Sequence, residues 1–169
     1  KSLQGWVDEI IVCDMYSEDR TVESARRYTE KIIFHPREKF VEPARNFAIE
    51  HAQHEWVFLL DADERVPIGL GPKLRGLAMG PDFPFVAVAI PMDDRFAGKR
   101  LVIWSAGWPN GRYVSKYKSP QLMRNGRCWF SDRVHEGAAL DGQMALLQVA
   151  SEDQGITHYA WDSIHHYIG

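Results

Sequence analysis

Three acids stand within four residues where an apolar run stops: Trp56–Val57–Phe58–Leu59–Leu60 leads straight into Asp61–Ala62–Asp63–Glu64. Carboxylates are hard oxygen donors. Two of them separated by a small alanine can converge on one divalent cation where the chain leaves a strand, and such donors select Mg²⁺ or Mn²⁺. A carboxylate pair at the carboxyl end of a buried strand also sits in the crevice where open α/β sheets bind ligands. A lone D-x-D is a weak motif, and the competing reading is a solvated acidic turn closing the strand.

Five apolar residues in a row are too few for a helix and suit a strand buried on both faces, as in a parallel sheet. The elements before it agree. Val7–Asp8–Glu9–Ile10–Ile11–Val12–Cys13 is β-rich and ends at Asp14. Ser17, Glu18 and Asp19 can cap a helix that the spacing of Val22, Ala25 and Tyr28 extends from Thr21 to about Lys31. Lys31–Phe34 is a second strand, stopped by Pro36, and Pro43 opens a second helix. Ala44, Phe47, Ala48, His51 and Ala52 form its apolar stripe, with His51 a packing residue at the stripe's edge. The first half thus reads β–α–β–α–β with parallel crossovers. Neither a dinucleotide fingerprint nor a P-loop is present, so a phosphate here needs a metal rather than a glycine cradle, which points again at Asp61 and Asp63.

Beyond the acids, Ile68–Met79 reads as a short helix interrupted by glycines, and Phe85–Ile90 as a buried strand. Then the pattern changes. Leu101–Trp104 and Tyr117–Met123 are strand-like. Asn125–Gly126 and Asp141–Gly142 are hairpin signals, the first leading to Cys128–Phe130, the second joining Val134–Leu140 to Met144–Val149. The second half is expected to be antiparallel hairpins, followed by Ile156–Tyr159 and a short helical segment over Asp162–Tyr167.

At 169 residues the chain fits one domain, and 45% apolar with 25% charged residues places it among soluble globular proteins. No apolar run reaches the ~18–20 residues of a membrane span, and no signal peptide is evident. Cys13 and Cys128 make neither a metal spacing nor a disulfide framework, so a reducing, cytoplasmic setting is expected. A net charge of −3 argues against general nucleic-acid binding. That average conceals eight basic residues and no acid between Arg95 and Arg127. These are either solvated strand edges or a surface for an anion: a diphosphate, an anionic acceptor or a membrane.

Four motifs, in order, resemble those of the inverting glycosyltransferases of family 2, with the GT-A fold. Asp8–Asp14 followed by Ser17–Val22 is similar to the family's strand plus "D-x-x-S-x-D-x-T". Ala44–Arg45–Asn46–Phe47–Ala48–Ile49 resembles its "a-R-N-x-a-i" helix, and Glu55–Glu64 its "e-W-v-l-x-l-D-A-D-E" metal motif. Val134–His135–Glu136 resembles the "v-H-E" of a bacterial branch that includes lipopolysaccharide-core glucosyltransferase-like proteins. The likeness covers about residues 5–160.

The resemblance implies a GT-A-like domain over 1–169, with a nucleotide-sugar-binding half at about 1–92 and an acceptor-side half at about 93–169. It implies a UDP-sugar donor, a glycan or glycolipid acceptor, and peripheral contact with the inner face of the membrane. Asp63 would be the direct metal ligand, while Asp61 meets ribose or, through water, the metal. Asp14 would accept from base or ribose, and Arg45 would meet a phosphate or fix Asp14. His158 stands where some relatives place a third metal ligand, and imidazole suits Mn²⁺.

Inverting transfer also requires a base for the acceptor hydroxyl. The candidates are Glu136, beside His135, and the Asp93–Asp94 pair, which is equally well placed to be a turn. His135 would orient Glu136, bind donor or pack. The family's usual opening strand, with its "x-P-x-y-N" motif, has no counterpart, so a chain truncated at its N-terminus is expected. Three other readings compete: a nucleotidyltransferase, whose glycine-rich opening is absent, a non-catalytic sugar-nucleotide-binding domain, and a haloacid-dehalogenase-like phosphotransferase. The last expects Thr or Val where Arg65 stands.

Overall fold

The computed structural model describes residues 1–96, 99–100, 120–131, 138–149 and 155–161. Its first half alternates strand and helix as the spacing predicts: β1 (Val12–Asp14), α1 (Thr21–Ala25), β2 (Ile32–Phe34), α2 (Glu42–Glu50) and β3 (Trp56–Phe58). β1 and β2 pair in parallel, Val12 opposite Ile32. α2 carries Pro43 in its first turn, where a fixed φ and a missing N–H cost nothing. α1 ends earlier than its periodicity suggests. Thr29 Oγ1 donates to the Ile10 carbonyl and accepts from the Lys31 N–H, offering the backbone an alternative to another helical turn.

The chain continues through β4 (Glu64–Arg65), α3 (Leu70–Ala78), β5 (Ala87–Ala89), β6 (Met92–Phe96) and β7 (Lys99–Arg100). It then adds β8 (Pro120–Arg124), β9 (Cys128–Phe130), β10 (Ala138–Leu140), β11 (Met144–Leu146) and β12 (Ile156–Trp161). Gly69, at φ +91°, turns the chain into α3 through the left-handed region that glycine enters without a Cβ clash. Two mixed four-stranded sheets result, ordered β11–β5–β8–β3 and β4–β12–β6–β7, together with the pairs β1–β2 and β9–β10. The architecture is mixed α/β.

The second half departs from the expected hairpins. The Asn125–Gly126 turn forms, with Gly126 at φ +75°, but β8 and β9 do not pair with each other. β8 already has both edges occupied, by β3 and β5. The Asn125 side chain donates to the Ala52 and His54 carbonyls, tying the turn to the approach to β3. After Asp141–Gly142 the chain likewise separates: β10 pairs antiparallel with β9, whereas β11 runs parallel to β5. The strand-like segments at 101–119 and the segment at 162–169 lie outside the described residues.

β5 lies at the centre, with Ala87, Val88, Ala89 and Ile90 all buried. Val88 and Ile90 pack with Leu74, Leu122 and Ile156, while Val86 and Ala87 join Ile49, Met123 and Phe130. β3 was expected to be buried on both faces, yet its residues are only half-buried. Among the described residues it is an edge strand, antiparallel to β8, and it borders a cavity of about 1300 Å³.

Candidate functional site

The three acids after β3 form a tight turn closed by its own polar groups. The Glu64 N–H donates to the Asp61 carbonyl at 3.0 Å, and the Asp61 N–H donates to Glu64 Oε2 at 2.9 Å. Glu64 is buried, which pushes its carboxyl above the usual carboxylate range; the Asp61 N–H opposes that shift. Asp61 and Asp63 are left exposed, turned out beside the cavity. The turn is buttressed by β12, which pairs antiparallel with β4 so that His158 lies opposite Glu64. The Tyr159 N–H donates to the Asp63 carbonyl at 2.9 Å.

β12 runs parallel to β6 along its other edge, His158 opposite Asp94. The imidazole therefore stands between two carboxylates. Nδ1 is 2.7 Å from Asp94 Oδ1, and Nε2 is 3.3 Å from Asp63 Oδ2. Asp93 and Asp94 are consecutive residues of a strand, which corrects the expectation of a possible turn. The alternation of a strand separates their roles. Asp94 meets His158, whereas Asp93 is buried and accepts from Arg95 Nε and Nη2 at 3.0 and 2.8 Å.

α2 supplies the next side chain. Arg45 donates from Nη2 to Asp61 Oδ2 at 2.6 Å, and its guanidinium lies 5.5 Å from the centre of the Phe130 ring. Among the described interactions it pairs with Asp61, and none joins it to Asp14. Asn46, to which the sequence assigned no role, brackets β9: its amide donates to the Phe130 carbonyl and accepts from the Phe130 N–H, at 2.8 and 2.9 Å. Adjacent Arg and Asn on one helical turn thus fix the acid turn and β9 together. Their adjacency was the available signal.

Asp14 closes β1, buried, with Oδ2 accepting the Ser17 N–H at 2.9 Å. Beside it Tyr16, at φ +57°, lies exposed against Phe34, ring centres 5.5 Å apart. The cavity wall includes Arg45, Asp61, Asp63 and Glu64 but not Asp14 or His158. His135 and Glu136 lie outside the described residues, as do Lys116 and Lys118.

No group of three or more His, Cys, Asp or Glu side chains that could hold a metal occurs among the described residues. Two donors do converge, Asp63 Oδ2 and His158 Nε2. That set fits an ion bound by one or two protein ligands, with water and a substrate phosphate completing its shell, rather than an all-protein cage. Asp94 on the far nitrogen of His158 matches the carboxylate that commonly orients a metal-binding imidazole.

Comparison with known proteins gives matches of different reach. Residues 2–140 match the sequence model described as glycosyl transferase family 2. The chain is also 35% identical over 166 residues to a TPR repeat-containing protein of Synechococcus elongatus. That alignment takes in 98% of this chain but 37% of the relative, so the chain spans little more than a third of the relative's length.

Proposed function

The chain belongs to glycosyl transferase family 2, and we propose that it transfers a sugar from a nucleoside-diphosphate donor to an acceptor hydroxyl with inversion at the Asp61–Asp63 turn. The observation that carries this reading is the line Asp94–His158–Asp63, set beside an Asp61 already held by Arg45. In the transfer the bond from the anomeric carbon to the diphosphate breaks and one to the acceptor oxygen forms. The acceptor proton passes to a base, and negative charge grows on the leaving group.

Mg²⁺ or Mn²⁺, when bound, supplies Lewis-acid stabilisation of that charge. Asp63 and His158 would hold it. Asp94, accepting from Nδ1–H, keeps the Nε2 lone pair of His158 turned toward Asp63. Arg45 holds the Asp61 carboxylate in place and brings a guanidinium beside the expected position of the diphosphate. Asp14 is assigned to the base or ribose, on the strength of its place at the end of β1.

The engagement of Asp94 with His158 makes Asp94 a positioning residue, which leaves Glu136, with His135, as the general base. UDP is the proposed nucleotide. The acceptor is proposed to be an anionic glycan or glycolipid of the cell envelope, lipopolysaccharide core included, met by the basic segment from Arg95 to Arg127 at the cytoplasmic face of the membrane.

Calorimetric titration with a UDP-sugar, with and without Mn²⁺, tests the assignment. Asp63→Ala should abolish Mn²⁺-dependent binding; an unchanged affinity would remove Asp63 from the metal site. Donor hydrolysis without added acceptor separates an enzyme from a non-catalytic binding domain.

A further inference from the structure

Asn46 reaches across 84 positions of chain to Phe130. We propose that it is a positioning residue for the transfer, aiming the Arg45 guanidinium at the diphosphate by fixing the Phe130 ring beneath it. This role rests on the reading of the Asp61–Asp63 turn as the diphosphate site.

β9 sets the need. The Asp141 N–H donates to the Arg127 carbonyl, so antiparallel alternation makes Trp129 and Ala139 the next hydrogen-bonded pair. Phe130, opposite Ala138, therefore turns its N–H and C=O away from β10. A primary amide carries a donor and an acceptor side by side, and Asn46 meets both groups, at 2.8 and 2.9 Å. At that one residue it takes the place of a neighbouring strand. The partners fix the amide's orientation, because a flipped amide would oppose N–H to N–H and oxygen to oxygen. An ionised Asp would lack the donor, and Ala would lack both.

Apolar packing alone would not set this geometry. Phe130 is buried in one cluster with Ile49, a turn further along α2, and such contact is non-directional. The amide clamp fixes where the ring stands along the helix, and the Arg45 guanidinium lies over that ring at 5.5 Å. Among the described interactions the guanidinium makes one hydrogen bond, from Nη2 to Asp61 Oδ2. Its other N–H groups are left for phosphate oxygens. A long side chain held by one bond keeps much of its rotamer freedom, and the ring beneath removes it. A guanidinium fixed before charge develops on the leaving group stabilises that charge without reorganising.

Calorimetric titration with UDP in Mn²⁺, on Asn46→Ala, Arg45→Ala and the double variant, tests this. Asn46→Ala should weaken UDP about tenfold and cause no further loss in the Arg45→Ala background, because residues acting through one group are not additive. Uridine, which lacks the phosphates, should bind Asn46→Ala as it binds the parent when titrated by NMR. An unchanged UDP affinity would overturn the inference. So would a loss that adds in full to that of Arg45→Ala, or that extends equally to uridine, either of which reduces Asn46 to a brace for β9. Phe130→Leu keeps both amide bonds and removes the ring, so it carries the test should Asn46→Ala not fold. It should weaken UDP about two- to fivefold, the worth of an exposed cation–π contact, and an unchanged affinity would overturn the ring's part. Parental UDP affinity in Arg45→Ala would instead dismiss the diphosphate reading itself, and the role of Asn46 with it.

Discussion

At the scale of single residues, the site separates acids that look alike in sequence. Asp63 is exposed and shares the Nε2 side of His158; Asp61 is engaged by Arg45; Glu64 is buried to hold the turn; Asp94 sits behind the imidazole. Position on the strand and one partner each decide these differences. They predict distinct kinetics. Asp94→Asn should weaken Mn²⁺ affinity by ~10–100-fold, as removal of an orienting carboxylate does, with turnover restored at saturating Mn²⁺. Glu136→Gln should lower turnover by ~10²–10⁴-fold at any Mn²⁺ concentration while donor binding persists. If instead Asp94→Asn stays inactive in excess Mn²⁺ and Glu136→Gln stays active, the base is Asp94.

Among the elements, α3 and the segment before β1 are tied by one ion pair. Arg75 donates to both carboxylate oxygens of Asp8, at 2.7 and 3.0 Å, and to the Trp6 carbonyl. The hydrogen bond from Arg75 holds the Asp8 carboxyl below its ordinary value of 3.8. A depressed folded-state pKa contributes stability above the unfolded value, and that contribution disappears as pH falls through the folded value. Arg75→Gln should therefore lower the melting temperature slightly at pH 7, the pair being exposed, and the gap from the parent should close as pH falls below the ordinary carboxyl value of 3.8. A gap unchanged at low pH would assign the effect to the Trp6 contact. The turns at Asn125 and Asp141 carry the complementary lesson: each reverses the chain, but which strands pair was decided by edges already occupied.

For the molecule as a whole, stability rests on apolar packing around β5, and the acids lie at the margins of that core. Ile90 is fully buried beside Leu74, Leu122 and Ile156, so Ile90→Ala should cost about 2–5 kcal/mol in denaturant unfolding. A loss below about 1 kcal/mol would mean that the core collapses around the gap. The charge distribution also belongs to this scale. A chain of net charge −3 concentrates eight basic residues between Arg95 and Arg127, and neutralising Lys116 and Lys118 should weaken an anionic acceptor more than the nucleotide-sugar donor. Equal effects on acceptor and donor would reduce them to surface charge.

The sequence by itself determined the alternation of elements up to β3, the helix opened by Pro43 and the acids that end the apolar run, because these depend on periodicity, fixed φ and near neighbours. The family that its motifs resemble is the one to which the chain belongs. Periodicity could not say which strands meet. β3 reads as a buried parallel strand and proves a half-buried edge; Asn125–Gly126 reads as a hairpin and sends β8 and β9 to different partners. Nor could it bring His158 to Asp63 and Asp94, which are 95 and 64 positions away in the chain. Only the tertiary structure decided that, by laying β12 between β4 and β6, since pairing across a sheet depends on which edges are open and not on spacing along the chain.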